Sequence, residues 1–232
     1  MKPQRYMTRV KVKICGIRSL EEAEAALDEG ADALGFNFWP KSPRYITPRA
    51  ARGIIATLSP MASTVGVFVN EDAGRILEIA SDLHLSAVQL HGDESPDFCT
   101  RLSSIKTIKA IRVGQDFDLS MIERYSAAMV LLDSDIRGSY GGTGQRFDWR
   151  IALEAKRLAP IILAGGLNTE NVWDAITHVR PAAIDVCSGV ESEPGRKDLI
   201  KLRSFMAVVA RANVLIAGEA DEAAQISTGF LP

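Results

Sequence analysis

Two residue types in this chain stand where proton transfer could be done. Cys15 closes the run Val10-Lys11-Val12-Lys13-Ile14-Cys15, and the alternation of side chains along an extended strand puts it on the same face as Lys13. A lysine beside a thiol favours the thiolate, which is the reactive form. A free cysteine by itself is a small buried hydrophobe; the company of Lys13 is what suggests chemistry. Asp133 closes the run Met129-Val130-Leu131-Leu132. A carboxyl at an apolar strand end, part-shielded by a loop, would keep a proton near neutral pH and could serve as an acid. The plainer reading is an aspartate that opens a loop or caps a helix. Two glycine-bearing segments, Ala164-Gly165-Gly166 and Cys187-Ser188-Gly189-Val190-Glu191, could let backbone N–H groups approach a phosphate, or could simply turn the chain. Arg44, within Trp39-Pro40-Lys41-Ser42-Pro43-Arg44-Tyr45-Ile46, is either a fork for a carboxylate or a solvated basic loop residue.

Those residues need a frame. Short apolar runs recur at Val10–Cys15, Ala33–Phe38, Val65–Val69, Ala87–Leu90, Thr107–Ile111, Met129–Leu132, Pro160–Ala164 and Ala183–Val186. Each is rich in Val, Ile or Leu and bounded by Gly, Pro, Asp or Asn, as buried strands are. Helical spacing fills the gaps. Ser19 and Glu22 form a capping-box pattern ahead of a helix over Leu20–Glu29 that Gly30 would end. A second helix is expected from Asn168, with Val172, Ala175, Ile176 and Val179 on one face, stopped by Pro181. Strand and helix alternating through eight near-continuous apolar strands indicate a parallel sheet buried on both faces. Eight such units close into a single-domain α/β (β/α)8 TIM barrel over residues 10–212, with an N-terminal extension over 1–9 and an unassigned tail over 213–232. An open doubly wound sheet would want a Gly-rich turn after its first strand, where this chain has Cys15-Gly16-Ile17-Arg18.

In a barrel of this kind the site lies at the C-terminal ends of the strands. The polar residues there are Cys15, Asn37, Asn70, His91, Arg112, Asp133, Gly165, Gly166 and Asp185. His91 and Asp185 are expected to contact substrate. The segment from Ser134 to Gly144 carries Gly138, Gly141, Gly142 and Gly144 and is long for its place, as lids are. Closure makes the first and last strands neighbours, so Cys15 and Cys187 should lie near one another at the mouth.

Composition narrows the classes. With 27 Lys and Arg against 29 Asp and Glu, no basic excess is available to neutralise a nucleic-acid backbone. Three cysteines are too few and odd in number for a disulfide scaffold, and suit a cytoplasmic protein. The most apolar stretch, Phe205 to Ala217, is broken by Arg211 and Asn213, well short of the roughly 18 uninterrupted residues of a membrane span. The opening MKPQRYMTRV lacks the apolar core of a signal peptide. There is no Walker A, HExxH, paired CxxC or complete GxGxxG motif. A cofactor-independent, metal-independent enzyme acting on a small molecule, as monomer or homodimer, is the expectation.

The motifs together resemble the phosphoribosylanthranilate isomerase family over residues 10 to about 210. The resemblance is carried by Lys11-Val12-Lys13-Ile14-Cys15-Gly16-Ile17, Gly30-Ala31-Asp32-Ala33-Leu34-Gly35-Phe36, Ser42-Pro43-Arg44-Tyr45-Ile46 and Gly66-Val67-Phe68-Val69-Asn70. It continues through Val88-Gln89-Leu90-His91-Gly92, Leu131-Leu132-Asp133, Tyr140-Gly141-Gly142-Thr143-Gly144 and Phe147-Asp148-Trp149. It closes on Ala164-Gly165-Gly166-Leu167-Asn168 and Asp185-Val186-Cys187-Ser188-Gly189-Val190-Glu191. The resemblance implies a (β/α)8 barrel and an Amadori rearrangement of N-(5-phosphoribosyl)anthranilate in tryptophan biosynthesis. It implies Cys15 as general base, Asp133 as general acid and Arg44 as the grip on the anthranilate carboxylate. Gly142, Gly165, Gly166, Ser188 and Gly189 would hold the phosphate. The family often has Ser where this chain has Cys187. The rival is the histidine-pathway or dual-substrate barrel isomerase, against which Cys15 stands, since that family resembles a pair of aspartates at these two strand ends.

Overall fold

The computed structural model of the chain describes residues 9–134 and 148–227, with side chains as far as 222. Eight parallel strands close into a barrel in sequence order. They are β1 (Lys11–Cys15), β2 (Ala33–Asn37), β3 (Ser63–Phe68), β4 (Ala87–Leu90), β5 (Thr107–Val113), β6 (Met129–Ser134), β7 (Ile161–Leu163) and β8 (Ala183–Val186). The register Lys11↔Ala183 to Ile14↔Val186 joins the last strand to the first. Helices α1 (Leu20–Asp28), α2 (Pro48–Ile55), α3 (Ala73–Asp82), α4 (Pro96–Thr100), α5 (Ser120–Glu123), α6 (Arg150–Ala155), α7 (Val172–Asp174) and α8 (Leu199–Ser227) follow the strands in turn. Among the described residues no helix is long and apolar enough to cross a membrane.

Alternation along each strand separates two cores. Val65, Ala87, Ile108, Ala110, Leu131, Ile162, Ala164 and Ala183 point inward and fill the barrel. Val12, Ile14, Leu34, Val88, Leu90, Val130, Leu132, Ile184 and Val186 point outward and pack under the helices. The same parity carries Lys13, Cys15, Gln89, Asp133 and Asp185 to the inside. Arg112 and Asp133 are not past their strands but paired within the β5–β6 ladder. The register is what sets them side by side at the barrel's upper rim.

Local chemistry explains the helix ends. Ser19 Oγ accepts the Glu22 N–H at 3.2 Å, half of a capping box. Glu22 Oε2 reaches back one residue further than that motif requires, to the Arg18 N–H at 2.8 Å. Its Oε1 takes the Lys197 N–H at 2.9 Å, so one buried carboxylate starts α1 and anchors a distant loop. The helix expected from Asn168 is shorter: Asn168 Oδ1 accepts the Glu170 N–H, α7 covers Val172–Asp174, and a π-helical turn spans Ala175–Val179. Arg180 closes it at φ 50, outside the right-handed region that the following proline disfavours.

Past β8 the chain makes a 3₁₀ turn over Ser188–Val190 and a small hairpin, β9 (Glu191–Glu193) with β10 (Arg196–Lys197), about Pro194-Gly195. The helix α8 then runs through position 212 without a break. At 1.5 Å per residue it is about 44 Å long, and it buries Leu202, Phe205, Met206, Val209, Ala212 and Ile216 against the outer core. Asn213 accepts the Val10 N–H at 2.8 Å and donates to Val10 O at 3.1 Å, pinning the entry to β1. Asn213→Ala should therefore leave two backbone groups partly buried and unpaired, at roughly 1–3 kcal/mol. Thermal denaturation should show a Tm lowered by a few degrees, and an unchanged Tm would show that the clamp contributes nothing.

Candidate active site

Lys13 and Asp185 meet across the β1–β8 seam, Nζ to Oδ1 at 2.8 Å, with 4% and 8% of their side chains exposed. Burial opposes a charge on Lys13, but Asp185 and then Cys15 outweigh it and raise its pKa. Burial likewise pushes Asp185 up to about 6 against the pull of Lys13, so near neutral pH the pair is ammonium and carboxylate. Cys15 sits next along the strand, buried. One step beyond the Ile14↔Val186 pairing stands Cys187, as barrel closure leads one to expect, and its thiol donates to Glu191 Oε1 at 3.6 Å. The neighbouring Cys187 thiol pulls Cys15 well below the ordinary thiol range; burial resists and the charges of Lys13 and Lys197 help. Cys15 and burial push Cys187 up.

Arg44 is no solvated loop residue. Its side chain is 12% exposed and grips Glu191 with Nε at 3.2 and 3.3 Å and Nη2 at 2.7 Å. Glu191 Oε1 also accepts from Lys197 Nζ at 3.1 Å, and Lys197 Nζ lies 3.7 Å from Cys187 Sγ. Neither Glu191 nor Lys197 stands out in the sequence as a site residue. The signal was Pro194-Gly195 midway between them, a turn dipeptide that folds Lys197 back beside Glu191. The Nη1 end of Arg44 makes no hydrogen bond among the described residues, and stays available to a ligand.

On the other side of the mouth, Asp133 is buried. Its Oδ1 accepts the Ser134 N–H at 2.9 Å, and its Oδ2 lies 3.2 Å from His91 Nε2. His91, expected as a substrate contact, is thus brought onto the carboxyl of Asp133. Behind the β4 end, Lys109 donates to Gly92 O at 2.7 Å and to Glu94 Oε2 at 2.6 Å, a buried pair that fixes the segment carrying His91. Gly165, at φ +81, passes so close to β6 that a Cβ would lie 2.6 Å from Ser134 N and 3.0 Å from Asp133 Oδ1. A Cβ on Gly189 would lie 1.9 Å from Leu167 O, so the segments after β7 and β8 lie backbone against backbone. Among the described residues the N–H groups of Gly165, Gly166, Ser188 and Gly189 have no protein acceptor. Gly142 lies outside the described residues. No group of three or more His, Cys, Asp or Glu among the described residues could hold a metal ion.

The arrangement places a cation-supported thiolate on β1, a carboxyl on β6 and unpaired N–H groups after β7 and β8. All stand at the C-terminal end of one barrel. That set can move two protons on an anionic ligand.

Residues 12–208 match the family model for N-(5′-phosphoribosyl)anthranilate (PRA) isomerase. The chain is 50% identical over 197 residues to the N-(5′-phosphoribosyl)anthranilate isomerase of Geobacter sulfurreducens, covering 85% of this chain and 97% of that one. It superposes on the phosphoribosyl anthranilate isomerase of Thermotoga maritima with a TM-score of 0.81 and 43% identity, over 87% of this chain and 99% of the other. A phosphoribosyl anthranilate isomerase solved with reduced 1-(o-carboxyphenylamino)-1-deoxyribulose 5-phosphate aligns over the same shares with a TM-score of 0.78 and 43% identity. The resemblance noted in the motifs thus extends through the whole barrel, and the chain belongs to the PRA isomerase family.

Proposed function

We propose that this enzyme isomerises N-(5′-phosphoribosyl)anthranilate to 1-(2-carboxyphenylamino)-1-deoxyribulose 5-phosphate, a step of tryptophan biosynthesis, with Asp133 as general acid and Cys15 as general base. The observation that carries the assignment is the contrast between the two groups. The Cys15 thiol is drawn well below the ordinary thiol range by Cys187 and by the cations Lys13 and Lys197, the first of them paired with Asp185 across the β1–β8 seam. The carboxyl stands apart from those cations, against His91. One residue type must begin protonated and the other deprotonated at one pH, and different environments achieve that.

Asp133 gives its proton to the ribose ring oxygen. The C1′–O bond breaks with its electron pair on that oxygen, and the anilino nitrogen lone pair forms an iminium. The iminium acidifies the C2′ proton, which the Cys15 thiolate removes. Protonation at C1′ of the resulting enolamine then leaves a ketone at C2′. Arg44, already anchored through Nε and Nη2 on Glu191, offers Nη1 to the anthranilate carboxylate. Gly142, Gly165, Gly166, Ser188 and Gly189 receive the phosphate through backbone N–H groups, and His91 and Asp185 line the ribose. The reaction needs no cofactor or metal in this reading. The enzyme acts in the cytoplasm as a monomer or homodimer, without nucleic acid or membrane.

Incubation with phosphoribosylanthranilate, followed by loss of its fluorescence, tests the activity. Cys15→Ala and Asp133→Ala should each lower kcat by roughly 10²-fold or more with KM little changed, the range of lost acid–base catalysis. Near-wild-type kcat in either variant removes that residue's role. Arg44→Ala should act mainly on KM, raising it by roughly ten- to a hundredfold for a lost charge-assisted bond of about 1.5–3 kcal/mol. Equal KM would return Arg44 to a purely structural place against Glu191.

The thiolate can be probed without substrate. Alkylation of an ordinary thiol slows about tenfold per pH unit below a pKa near 8.5. Because the pKa of Cys15 is lowered, its rate should fall less steeply than that between pH 8 and 6. Cys187→Ala, which removes the largest cause of the shift, should steepen that fall. A tenfold drop per unit in the unaltered protein, followed by mass spectrometry of the Cys15 peptide, would show that Cys15 rests as a thiol.

A further inference from the structure

Arg44 lies beside the thiols at the barrel mouth. A Cβ on Gly16, the residue after Cys15, would lie 2.9 Å from Arg44 Cγ and 3.1 Å from Cys187 Sγ. The guanidinium carries five N–H donors in a fixed plane. Glu191 takes the edge made by Nε and Nη2: Nε donates to its two oxygens at 3.2 and 3.3 Å, and Nη2 to Oε2 at 2.7 Å. The edge made by Nη1 and the second hydrogen of Nη2 stays open. Two parallel N–H groups of that kind match the two oxygens of a carboxylate.

Two cations share Glu191, and they are not equivalent. Lys197 reaches Oε1 at 3.1 Å with none of its side chain exposed, whereas 12% of the Arg44 side chain is exposed. Lys197 Nζ is further occupied by Cys187 O at 3.1 Å. The lysine thus answers the carboxylate's charge from the interior, and the arginine's charge is left for a ligand. An arginine with no partner on its Nε side keeps its rotamer freedom until a ligand binds, and binding then has to remove it. Held on Glu191, Arg44 loses that freedom on folding instead.

The hairpin that carries Glu191 is itself seated on the segment that carries Arg44. Gly195, at its turn, has φ +89, and a Cβ there would lie 2.4 Å from Pro43 O. Arg18 Nη1 donates to Gly195 O at 3.2 Å and to Pro43 O at 3.5 Å, which clips the two backbones together. Backbone contact and ion pair therefore fix one arginine from two directions.

We propose that Glu191 is a positioning residue that sets the site's preference for a ligand bearing a ring carboxylate. The β9–β10 hairpin, seated through Gly195 on Pro43, brings Glu191 to Arg44, and the open guanidinium edge is then presented in one orientation. Glu191 touches no reacting atom. What it decides is recognition, because a ring without the carboxylate leaves that charged edge unanswered. The inference rests on Arg44 as the grip on the anthranilate carboxylate.

The test compares two stable inhibitors of the full chain. One is reduced 1-(o-carboxyphenylamino)-1-deoxyribulose 5-phosphate, and the other is the same compound without its carboxyl group. In the unaltered enzyme the carboxylate should tighten inhibition by roughly ten- to a hundredfold, as a charge-assisted bond does. Arg44→Ala should remove most of that ratio. Glu191→Gln keeps the shape but not the charge, and should lower the ratio by about fivefold or more while the carboxyl-free compound binds within about threefold of its former strength. A purely structural role would weaken both compounds alike. Gly195→Ala alters no charge and should lower the ratio in the same sense, by pushing the hairpin off Pro43. It decides the matter alone should Glu191→Gln fail to fold. In an Arg44→Ala background neither change should move the ratio by more than about twofold. An unchanged ratio in folded Glu191→Gln, or equal weakening of both compounds, overturns the proposal. A ratio that does not depend on Arg44 brings down the reading beneath it, and this one with it. A ratio that depends on Arg44 but on neither Glu191 nor Gly195 brings down this one alone.

Discussion

The buried pair Lys13–Asp185 joins the first strand of the barrel to the last, and much of the site depends on it. Taking two charges out of water is costly, and a well-packed apolar pair in the same place would often be as stable or more so. Breaking the pair by removing one partner is worse still, at about 3–5 kcal/mol. What an apolar seam would lack is a fixed positive charge beside Cys15. The carboxylate keeps the lysine ionised, the lysine favours the thiolate, and the thiolate in turn favours the lysine charge. The stability forgone at the seam is thus converted into a positive charge held beside that thiol.

The second support comes from outside the barrel proper. The hairpin after β8 folds Lys197 onto Glu191, and Glu191 receives Arg44 from the segment after β2. Two cations on one carboxylate leave the cluster with a net positive charge, next to Cys187. Arg44 is held at one end and unbonded at the other, so a ligand carboxylate would meet a group whose orientation is already decided. Glu22 reaches the same hairpin through the Lys197 N–H. A helix cap near the start of the chain therefore stiffens the active-site rim.

The other side of the mouth is built differently. Among the described residues Asp133 has no Lys or Arg bonded to it, and its partners are an imidazole and one backbone N–H. Gly165 lets the backbone after β7 run against it, so that segment and the carboxyl share a wall. Thiol and carboxyl thereby stand in different surroundings, one among cations and the other against an imidazole.

How much of this was legible in the residues follows from the range of the forces involved. Strand and helix come from periodicity and local sterics, which act over a few residues. Eight apolar runs, the Ser19 cap, the shared face of Lys13 and Cys15 and the glycines after β7 and β8 could all be read along the chain. Closure of eight units then made neighbours of Cys15 and Cys187. Even so, the strand ends were blurred, because β5 and β6 extend through Val113 and Ser134 as far as ladder partners remain, and partners are not visible locally. The contacts that decide function are non-local. Arg44 and Glu191 are 147 residues apart, Lys13 and Asp185 172, and His91 and Asp133 42. No pattern of spacing encodes which charge will meet which. The burial of Arg44, the turning of His91 onto Asp133 and the return of Lys197 to Cys187 were decided only when the barrel brought strand ends and loops to one rim. There the low dielectric made each unpaired charge seek its partner.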